Sequence, residues 1–475
     1  MAELLKADLC IIGAGSAGLS IAAGSAQMGA RTVLIEAHRM GGDCLNSGCV
    51  PSKSLLAAAK VAHVVRSSAK TGIAFQEPRI EFAQTRRYVH DVIQAIAPHD
   101  SVDRFKGLGC QVIEASARFV DRKTVAAGDF QVRARRFVIA SGSRPYVPPI
   151  EGLENTPYFT NETIFENTVL PEHIIIIGAG PMGAEMAQAH RRLGARVTLL
   201  DAARLLPRDD PEAVEVLRQR LSSEGVEIIE SVEIVRVALS GSEIDITIND
   251  NSRERTLRGS HLLVAAGRRP NVADLGLEAA GVKYDEKRIN VDARLRTANK
   301  RIFAAGDVIG GQLLTHAAGY HASIVLKNAL FRIPAKKSAS DLPWVTYTDP
   351  ELAQVGLTES SAKQLHGDSV RVLRADFAQN DRARAEGISD GFLKAVVSKR
   401  GSILGATIVG PHAGELLLPW TLAIAQGNKI GALAGLTVPY PTLSEITKRA
   451  AGSYFTPALF SPRIRRLVRF LGVFG

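Results

Sequence analysis

Two cysteines are the residues whose spacing most directly suggests chemistry. Cys44 and Cys49 are separated by four residues within the segment 41–53, which opens with two glycines and ends with Lys53. Thiols at this spacing can close a small disulfide ring, and a helix N-terminus together with Lys53 would favour a thiolate. A structural disulfide is disfavoured in a reducing compartment, and a metal site would need further ligands. The segment therefore predicts a redox-active dithiol and no metal site.

A glycine-rich pattern that could hold phosphates occurs twice. Each copy reads G-x-G-x-x-G, follows a short apolar strand and opens a helix of small residues, and a second strand after the helix ends in an acid. The first copy contains Gly13, Gly15 and Gly18, with Glu36 23 positions after the first glycine, and the second contains Gly178, Gly180 and Gly183, with Asp201 at the same spacing.

These residue types fit the binding of a dinucleotide. The first glycine permits a tight turn, the second lets the backbone approach a pyrophosphate, and the third allows close packing of helix and strand. The acid accepts hydrogen bonds from ribose hydroxyls. We interpret the two predicted dinucleotides as a flavin and a nicotinamide, because electrons must pass between them. Asp201 favours NADH, since its carboxylate would repel a 2′-phosphate, and the nearby Arg204 leaves NADPH as the alternative.

The composition is that of a large globular protein. The chain has 475 residues, of which 46% are hydrophobic, and this length suggests about three domains. A disordered, collagen-like or disulfide-scaffold chain is excluded. The net charge of +10 would suit nucleic acid, an anionic membrane or polyanionic cofactors. We expect no nucleic-acid binding, because the basic residues are dispersed and no recognised binding motif accompanies them.

No segment predicts export or a membrane span. Residues 1–7 contain no apolar signal core, and the longest apolar run, Leu416–Ala425, is far shorter than the ~20 residues that cross a bilayer. We therefore expect a cytoplasmic protein.

The cysteine segment, which reads G-G-D-C-L-N-S-G-C-V-P-S-K, and the order of the two glycine patterns resemble the flavoprotein disulfide reductases, the pyridine nucleotide-disulfide oxidoreductase family. Dihydrolipoyl dehydrogenase, glutathione reductase and mercuric reductase are members. The resemblance covers nearly the whole chain. It implies an α/β fold with two Rossmann-like dinucleotide-binding domains, for FAD and NAD, and a C-terminal α+β dimerisation domain. The implied boundaries are 1–149 and 271–340 for the FAD domain, 150–270 for the NAD(P)H domain, 341–460 for the dimerisation domain and 461–475 for a tail.

The same resemblance implies the path of the electrons. They would pass from NADH to FAD, bound by the first glycine pattern, then to the Cys44–Cys49 disulfide, and finally to a small disulfide or a metal ion. Cys49 would lie against the flavin as a charge-transfer thiolate, and Cys44 would attack the acceptor. Lys53 would lie beside the flavin with Glu185 as its ion-pair partner, and Asp307 would bind the ribityl chain.

Two linkers, 140–145 and 265–270, resemble the family's crossings between the FAD and NAD domains, and Gly142 and Gly267 in them are predicted to line the cofactor site. The alternative is that their arginines are ordinary surface charges. Thr315 is predicted to be the N-cap of a helix whose first turn contains His316.

The resemblance implies a homodimer in which the C-terminal end of one subunit completes the active site of the other. The family supplies His-Pro-Thr-x-x-Glu there, with the histidine as acid–base and the glutamate orienting it. This chain has Glu445, but Tyr440 occupies the histidine position. A phenol with a pKa near ~10 is a poorer base at neutral pH than an imidazole near ~6.5. Efficient exchange with lipoamide or glutathione is therefore in doubt, and the alternative for Tyr440 is packing at the dimer interface.

Mercuric reductase also carries a tyrosine in this region, which favours that comparison. However, mercuric reductase has a C-terminal cysteine pair, whereas no cysteine follows Cys110 here. An N-terminal metal-binding C-x-x-C is also absent from this sequence. We therefore expect a relative with a different acceptor.

The tail predicts a basic amphipathic helix that begins after a proline. Its apolar and basic positions fall on opposite faces, with Ile464, Leu467, Val468 and Leu471 on one and Arg465, Arg466 and Arg469 on the other. Such a helix could dock on the inner face of an anionic membrane or on a partner, or pack against its own subunit. The alternative function is therefore a membrane-docked redox-sensing or electron-delivering flavoprotein that acts on a protein partner.

Overall fold

The computed structural model describes residues 2–250, 253–338 and 342–474. The chain divides into two compact units, of which the first contains residues 1–202 and 229–337 and the second contains residues 203–228 and 338–475. In the described ranges no helix is both long enough and apolar enough to cross a membrane.

Residues 2–202 contain the strands β1 Glu3–Ile12, β2 Thr32–Glu36, β3 Cys110–Glu114, β4 Ala117–Asp121, β5 Thr124–Ala127, β6 Phe130–Ile139, β7 Ser143–Pro145, β8 His173–Ile177 and β9 Arg196–Asp201. Their helices are α1 Ser16–Gln27, α2 Gly42–Asn46, α3 Cys49–Ser67, α4 Phe82–Ile96, α5 Val102–Gly107 and α6 Pro181–Leu193.

Residues 203–338 contain α7 Pro211–Ser223, β10 Val226–Glu230, β11 Glu233–Ser240, β12 Glu243–Asp250, β13 Arg253–Gly259, β14 His261–Val264, β15 Arg268–Pro270, α8 Leu277–Ala280, β16 Tyr284–Asp285, β17 Arg288–Ile289, β18 Ile302–Ala304 and α9 Thr315–Ala329.

Residues 342–474 contain β19 Trp344–Thr346, β20 Glu351–Gly356, α10 Glu359–His366, β21 Val370–Asp376, α11 Asp381–Glu386, β22 Phe392–Ser398, β23 Ile403–Gly410, α12 Ala413–Leu416, α13 Leu418–Ala425, α14 Ile430–Ala434, α15 Glu445–Ser453, α16 Thr456–Leu459 and α17 Pro462–Leu471.

The first glycine pattern lies at the centre of the largest sheet. The strand order is β3–β2–β1–β6–β5–β4, and β18 also pairs with β6. β1 runs parallel to both β2 and β6, so its second half is covered on both sides and Leu9, Cys10 and Ile11 are fully buried. This burial explains the continuous apolar run, because a parallel strand with helices on both faces needs no polar side. β18 brings the chain back to this sheet just before Asp307.

The second glycine pattern repeats this arrangement on a smaller scale. β8 runs parallel to β9 on one side and to β14 on the other, and all five of its residues are buried. The two linkers also pair with each other, since β7 and β15 form a short antiparallel ladder that places Ser143 opposite Pro270.

The second unit is built on a five-stranded antiparallel sheet in the order β19–β20–β23–β22–β21. Trp420, Phe377 and Phe392 are among its fully buried side chains. The α15 helix begins at Glu445 and buries Ile446 and Ala450 in the core of this unit.

One buried lysine holds α7 in the second unit. The Lys394 side chain on β22 is 3% exposed, and its Nζ lies 3.0 Å from Asp210, 2.8 Å from Glu212 and 3.0 Å from Glu359. Asp210 also caps α7 by accepting a hydrogen bond from the backbone of Glu212. A buried ammonium must be paired to be tolerated, so these carboxylates keep α7 and α10 next to β22.

Candidate functional site

Both glycine patterns form the tight turn that the sequence predicts. Gly13 and Gly178 have φ angles of +102° and +110°. A Cβ on Gly13 would lie 2.3 Å from the carbonyl oxygen of Ala140, and one on Gly178 would lie 2.4 Å from that of Ala265. Both the backbone conformation and the space therefore require glycine at the first position.

The second and third glycines of each pattern differ in the space around them. A Cβ on Gly18 or Gly183 would lie 1.8 Å from the carbonyl oxygen of the first glycine of its own pattern, which prevents any side chain there. In contrast, Gly180 has no atom within 4 Å of an added Cβ, and Gly15 has only the Cα of Gly42, at 3.8 Å. The space at the middle glycine, in front of a helix N-terminus, fits a pyrophosphate in both copies.

The two acids occupy matching positions. Glu36 Oε2 accepts a hydrogen bond of 2.5 Å from the backbone of Ala14, and Asp201 Oδ2 accepts one of 2.5 Å from the backbone of Ala179. Each carboxylate is thus fixed beside its glycine turn, where it can also accept bonds from ribose hydroxyls. The residues of both copies therefore fit a dinucleotide.

The redox-cysteine segment, residues 41–53, contains two short helices. Cys44 lies in α2, Cys49 is the first residue of α3, and both are free thiols in this structure. The turn between them is tight, because a Cβ on Gly48 would lie 2.9 Å from the carbonyl oxygen of Asp43. Cys49 therefore stands at a helix N-terminus, where the exposed N–H groups favour an anion.

This segment packs directly against the first glycine turn. The backbone N–H of Gly41 donates to the carbonyl of Ala14 at 2.9 Å, and a Cβ on Gly42 would lie 2.6 Å from the Cα of Gly15. The two glycines that open the segment are needed for this close approach. It places the cysteines beside the turn that fits the first dinucleotide.

The two thiols differ in acidity. A hydrogen bond from the Cys44 thiol, with contributions from Thr315 and Lys53, lowers the pKa of Cys49 to about 6 against the opposing effect of burial. The hydroxyl oxygen of Thr315 lies 3.4 Å from Cys49 Sγ. The same hydrogen bond and burial raise the pKa of Cys44 well above its usual range. At neutral pH the reduced pair is therefore a Cys49 thiolate beside a Cys44 thiol.

An ion pair next to the thiolate joins the two glycine-pattern regions. Lys53, one turn after Cys49 on α3, donates from Nζ to Glu185 Oε2 at 2.8 Å. Glu185 is on α6, the helix of the second pattern, and its side chain is only 3% exposed. The structure thus brings together the lysine and glutamate that the resemblance pairs.

A polar network surrounds the residue before Cys44. Asp43 Oδ1 accepts hydrogen bonds of 2.9 Å from both Ser47 Oγ and Asn161 Nδ2, and it lies 3.3 Å from Arg268 Nη2. Its carboxylate is therefore neutralised by an arginine of the second linker.

Arg268 also connects this network to Asp307, the predicted ribityl-binding residue. Arg268 Nε donates to Ser143 Oγ at 2.7 Å, and Ser143 Oγ donates to Asp307 Oδ2 at 2.6 Å. Burial raises the pKa of the Asp307 carboxyl. Gly142 and Gly267, on the linkers beside Ser143 and Arg268, both have positive φ, and an added Cβ on either would meet no atom within 4 Å.

The other linker arginines have separate contacts. Arg269 stacks on the Tyr146 ring with a distance of 4.4 Å to the ring centre, and Arg144 donates to Asn271 Oδ1 at 3.2 Å. Both contacts stabilise the paired linkers. Arg268 is half-buried and hydrogen-bonded to Ser143, whereas Arg144 and Arg269 are exposed, so the surface-charge alternative stays open for those two.

Tyr440 belongs to the second unit and is 71% exposed. Its hydroxyl donates to Asp381 Oδ2 at 3.1 Å, and this bond raises the pKa of the phenol. Glu445 instead accepts a 3.5 Å bond from the backbone of Thr442. Asp381, rather than Glu445, is thus the hydrogen-bond partner of Tyr440, and the phenol is a proton donor at neutral pH.

Several residues of these sites could not be inferred from the sequence. Thr315 was expected to cap a helix, but α9 begins at Thr315 itself and its N-cap is Leu314, so the hydroxyl is available to Cys49. Ser143 and Asp381 carry no motif of their own, and only folding reveals their contacts. The positive charge of Arg268 was noted, but its approach to Asp43 depends on the pairing of the two linkers.

Comparisons with known proteins agree with this geometry. The family model described as pyridine nucleotide-disulphide oxidoreductase matches residues 7–322, and the model of that family's dimerisation domain matches residues 342–451. Mercuric reductase from Staphylococcus aureus is 34% identical over 94% of this chain and 82% of its own length. Dihydrolipoyl dehydrogenase from Geobacillus stearothermophilus is 32% identical over 94% and 96%, respectively. The crystal structure of LpdA from Mycobacterium tuberculosis has a TM-score of 0.86 at 27% identity, covering 94% of this chain and 99% of that one.

These matches cover both units, and the family uses FAD and NAD(P)H as cofactors. The dimerisation domain supports assembly as a homodimer. The chain is a member of the pyridine nucleotide-disulfide oxidoreductase family and an FAD-dependent oxidoreductase of the class that contains mercuric reductase and dihydrolipoyl dehydrogenase.

Proposed function

We propose that this protein transfers two electrons from NADH, through FAD, to the Cys44–Cys49 disulfide, and from the resulting thiols to a small disulfide or a metal ion. The observation that carries the proposal is geometric: Cys49 begins α3, and the redox-cysteine segment packs against the first glycine turn. FAD would be held by the first glycine turn and by Glu36, and it would supply hydride acceptance and two-electron transfer to the disulfide.

The chain's own residues prepare the pair for this reaction. Reduction of the disulfide breaks the S–S bond with two electrons and one proton, together the equivalent of one hydride, and leaves a Cys49 thiolate and a Cys44 thiol. The positive charge of Lys53 and the hydroxyl of Thr315 hold the negative charge on Cys49. Cys44 keeps its proton until an acceptor binds. With a disulfide acceptor, the Cys44 sulfur would attack one acceptor sulfur, the acceptor S–S bond would break, and the proton of Cys44 would pass through water to the leaving thiolate. Glu185 fixes the ammonium of Lys53 and thereby positions its charge beside Cys49.

The acceptor side supports a metal ion more than lipoamide. We propose that Tyr440 of one subunit completes the active site of the other, as the family resemblance implies. Because Asp381 keeps the phenol protonated, Tyr440 cannot take the proton of Cys44 as an imidazole would. A soft metal ion instead displaces the proton of Cys44 to water when the sulfur binds it, so no base is needed. Two-electron reduction of the bound metal would then re-form the Cys44–Cys49 disulfide. Several of the similar proteins are mercuric reductases, which favours a soft metal ion as the acceptor class. Because no cysteine follows Cys110 in this sequence, the proposal commits to that class and not to mercury itself, and Hg²⁺ serves below as its probe.

The nicotinamide proposed is NADH. Asp201 stands at the end of β9 and accepts a bond from the second glycine turn, so a 2′-phosphate would meet a carboxylate. We expect kcat/KM for NADH to exceed that for NADPH, and the reverse order would contradict this choice.

Anaerobic titration with NADH tests the electron path. The FAD-loaded dimer should develop a long-wavelength charge-transfer band on two-electron reduction, because the Cys49 thiolate lies against the flavin in this proposal. Cys49→Ser should lose the band while its flavin is still reduced. Cys110→Ala is the matched control and should keep it. A band that survives in Cys49→Ser would overturn the assignment.

Steady-state NADH oxidation then identifies the acceptor class. Thiol-complexed Hg²⁺ and lipoamide are compared with the same enzyme preparation. Faster turnover with the metal complex would support the proposed acceptor, and faster turnover with lipoamide would contradict it. Contact with a membrane is a separate proposal that rests on α17.

A further inference from the structure

The C-terminal helix α17 is exposed along its whole length. Ser461 caps its N-terminus by accepting a hydrogen bond from the backbone of Ile464, so the ten-residue helix is well formed. None of its residues is buried; Val468, for example, is 62% exposed. A helix whose stability normally comes from packing an apolar face therefore has no covered face in the described chain.

The residues of α17 are strongly segregated around the helix. At about 100° per residue, Ile464, Leu467 and Leu471 point to one side. The basic side lies opposite and contains Arg465, Arg466 and Arg469. The large exposed apolar residues in and around the helix are Leu459, Phe460, Ile464, Leu467, Val468, Phe470, Leu471, Val473 and Phe474.

The charge of this segment is entirely positive. Glu445 is the last acidic residue of the sequence, whereas Lys448, Arg449 and four arginines of α17 follow it. Arg463, Arg465, Arg466 and Arg469 form no ion pair within the described residues. The positive charge is thus available to an anionic partner on the same element as the exposed apolar face.

These two properties together fit a lipid surface better than a second copy of the chain. The match to the dimerisation domain ends at residue 451, before α17 begins. A second copy packed on the apolar side would leave the arginines of both helices facing outward, with no group of opposite charge from that copy to meet them. An anionic bilayer instead accepts the apolar side among its acyl chains and the arginines among its headgroups.

We propose that α17 is a membrane anchor that binds the reductase peripherally to anionic bilayers, lying in the plane of the interface with its leucines inserted. This proposal is independent of the electron acceptor. The anchored enzyme would work at the bilayer surface, where membrane-bound substrates or partners are concentrated.

Flotation with vesicles tests the anchor on the intact, FAD-loaded dimer. The probes are vesicles of phosphatidylcholine alone and vesicles that also contain phosphatidylglycerol. We expect flotation only with the anionic vesicles, and a decrease as salt is raised. The R465Q/R466Q/R469Q variant should bind about fivefold more weakly per arginine, or on the order of a hundredfold in total. R133Q/R135Q/R400Q, which removes three exposed arginines elsewhere, should bind as the unchanged protein does.

A second variant tests the apolar side. L467N/V468N should lose anionic-vesicle binding while NADH oxidation in solution and the dimer, measured by light scattering, stay unchanged. Loss of the dimer in this variant would show that the face packs on the other subunit and would overturn the proposal. Absence of flotation by the unchanged dimer, or equal flotation with both vesicles, would also overturn it. Because activity is measured in each variant, failure of the anchor is distinguishable from failure of the reductase.

Discussion

The redox-cysteine segment 41–53 and the acceptor segment 439–445 differ in how their reactive side chains are held. Around Cys49, a hydroxyl, a thiol and a lysine act on one sulfur, and the lysine is in turn fixed by a buried glutamate. Around Tyr440, one hydrogen bond to Asp381 holds a side chain that is mostly exposed.

This difference separates the two halves of the proposed reaction. Preorganised charge around Cys49 is what electron transfer into the disulfide requires, and it is fully assembled within one unit. In the acceptor segment Tyr440 supplies a phenol where the family resemblance implies an imidazole. We therefore expect the disulfide to be reduced as the family resemblance implies and its electrons to pass to a different acceptor. Separate variants test the reduction of the disulfide and the reduction of the acceptor.

The largest effect is expected from Cys44→Ser. A serine hydroxyl cannot form a disulfide, so acceptor reduction should fall by at least a thousandfold, on the scale of other lost nucleophiles. Reduction of the flavin by NADH should persist, because that step needs only the two glycine patterns. Stopped-flow spectroscopy separates the two steps, and Cys110→Ala serves as the control. Turnover within about tenfold of the unchanged enzyme would show that Cys44 is not the attacking thiol.

Next in size is the effect of breaking the Lys53–Glu185 pair. Lys53→Met removes the cationic partner of a buried carboxylate, which should lower the free energy of unfolding by about 3 kcal/mol. It should also raise the pKa of Cys49, because Lys53 stabilises the thiolate.

The double variant Lys53→Met/Glu185→Leu separates these two consequences. It should recover most of the stability, since no buried charge loses its partner, but it should not restore the acidity of Cys49. Urea unfolding and the pH dependence of the charge-transfer band measure the two quantities. Recovery of both would mean that Lys53 acts on Cys49 only through the fold.

A smaller effect, and a gain, is expected in the acceptor segment. Tyr440→His introduces a group that titrates near neutrality, and a positioned base contributes about a hundredfold or more, so lipoamide turnover should rise by about 10- to 100-fold. Tyr440→Phe should leave metal-ion reduction within about twofold. Tyr454→Phe, which removes another phenol of the same unit, is the control. No gain with histidine would show that the lost base does not limit lipoamide turnover.

Those parts of the site that follow from short-range patterns could be predicted from the sequence. The glycine turns, the position of Cys49 at a helix start and the segregated faces of α17 each depend on residues within one or two helical turns. The Lys53–Glu185 pair spans 132 positions and was accessible only through the resemblance to a family. Its closeness depends on how α3 and α6 pack, which no local pattern specifies.

The remaining contacts could not be predicted because they depend on long-range pairing or on competition between partners. The approach of Arg268 to Asp43 requires β7 and β15 to pair. Glu445 was expected near the residue at position 440, yet the phenol bonds Asp381, which lies at the start of another helix. A phenol donates a single hydrogen bond, here to whichever carboxylate lies close enough. Sequence spacing does not show whether that carboxylate is Asp381 or Glu445.

The smallest expected effect concerns Asp43, the charged residue next to Cys44. In the unchanged enzyme the charge-transfer band should be present at neutral pH and fade as the pH falls through about 6, because protonation of Cys49 removes the thiolate. Asp43 opposes that thiolate, and Arg268 compensates the Asp43 charge at 3.3 Å.

Removing either partner should therefore move the midpoint in opposite directions, each by a fraction of a pH unit. Asp43→Asn deletes the repulsion and should lower the midpoint, whereas Arg268→Gln leaves the repulsion uncompensated and should raise it. If Arg268 served only to hold the linkers together, both variants would loosen the site and shift the midpoint the same way. Opposite shifts in a pH titration of the reduced enzyme would identify Arg268 as a positioning residue whose charge acts on Cys49 through Asp43.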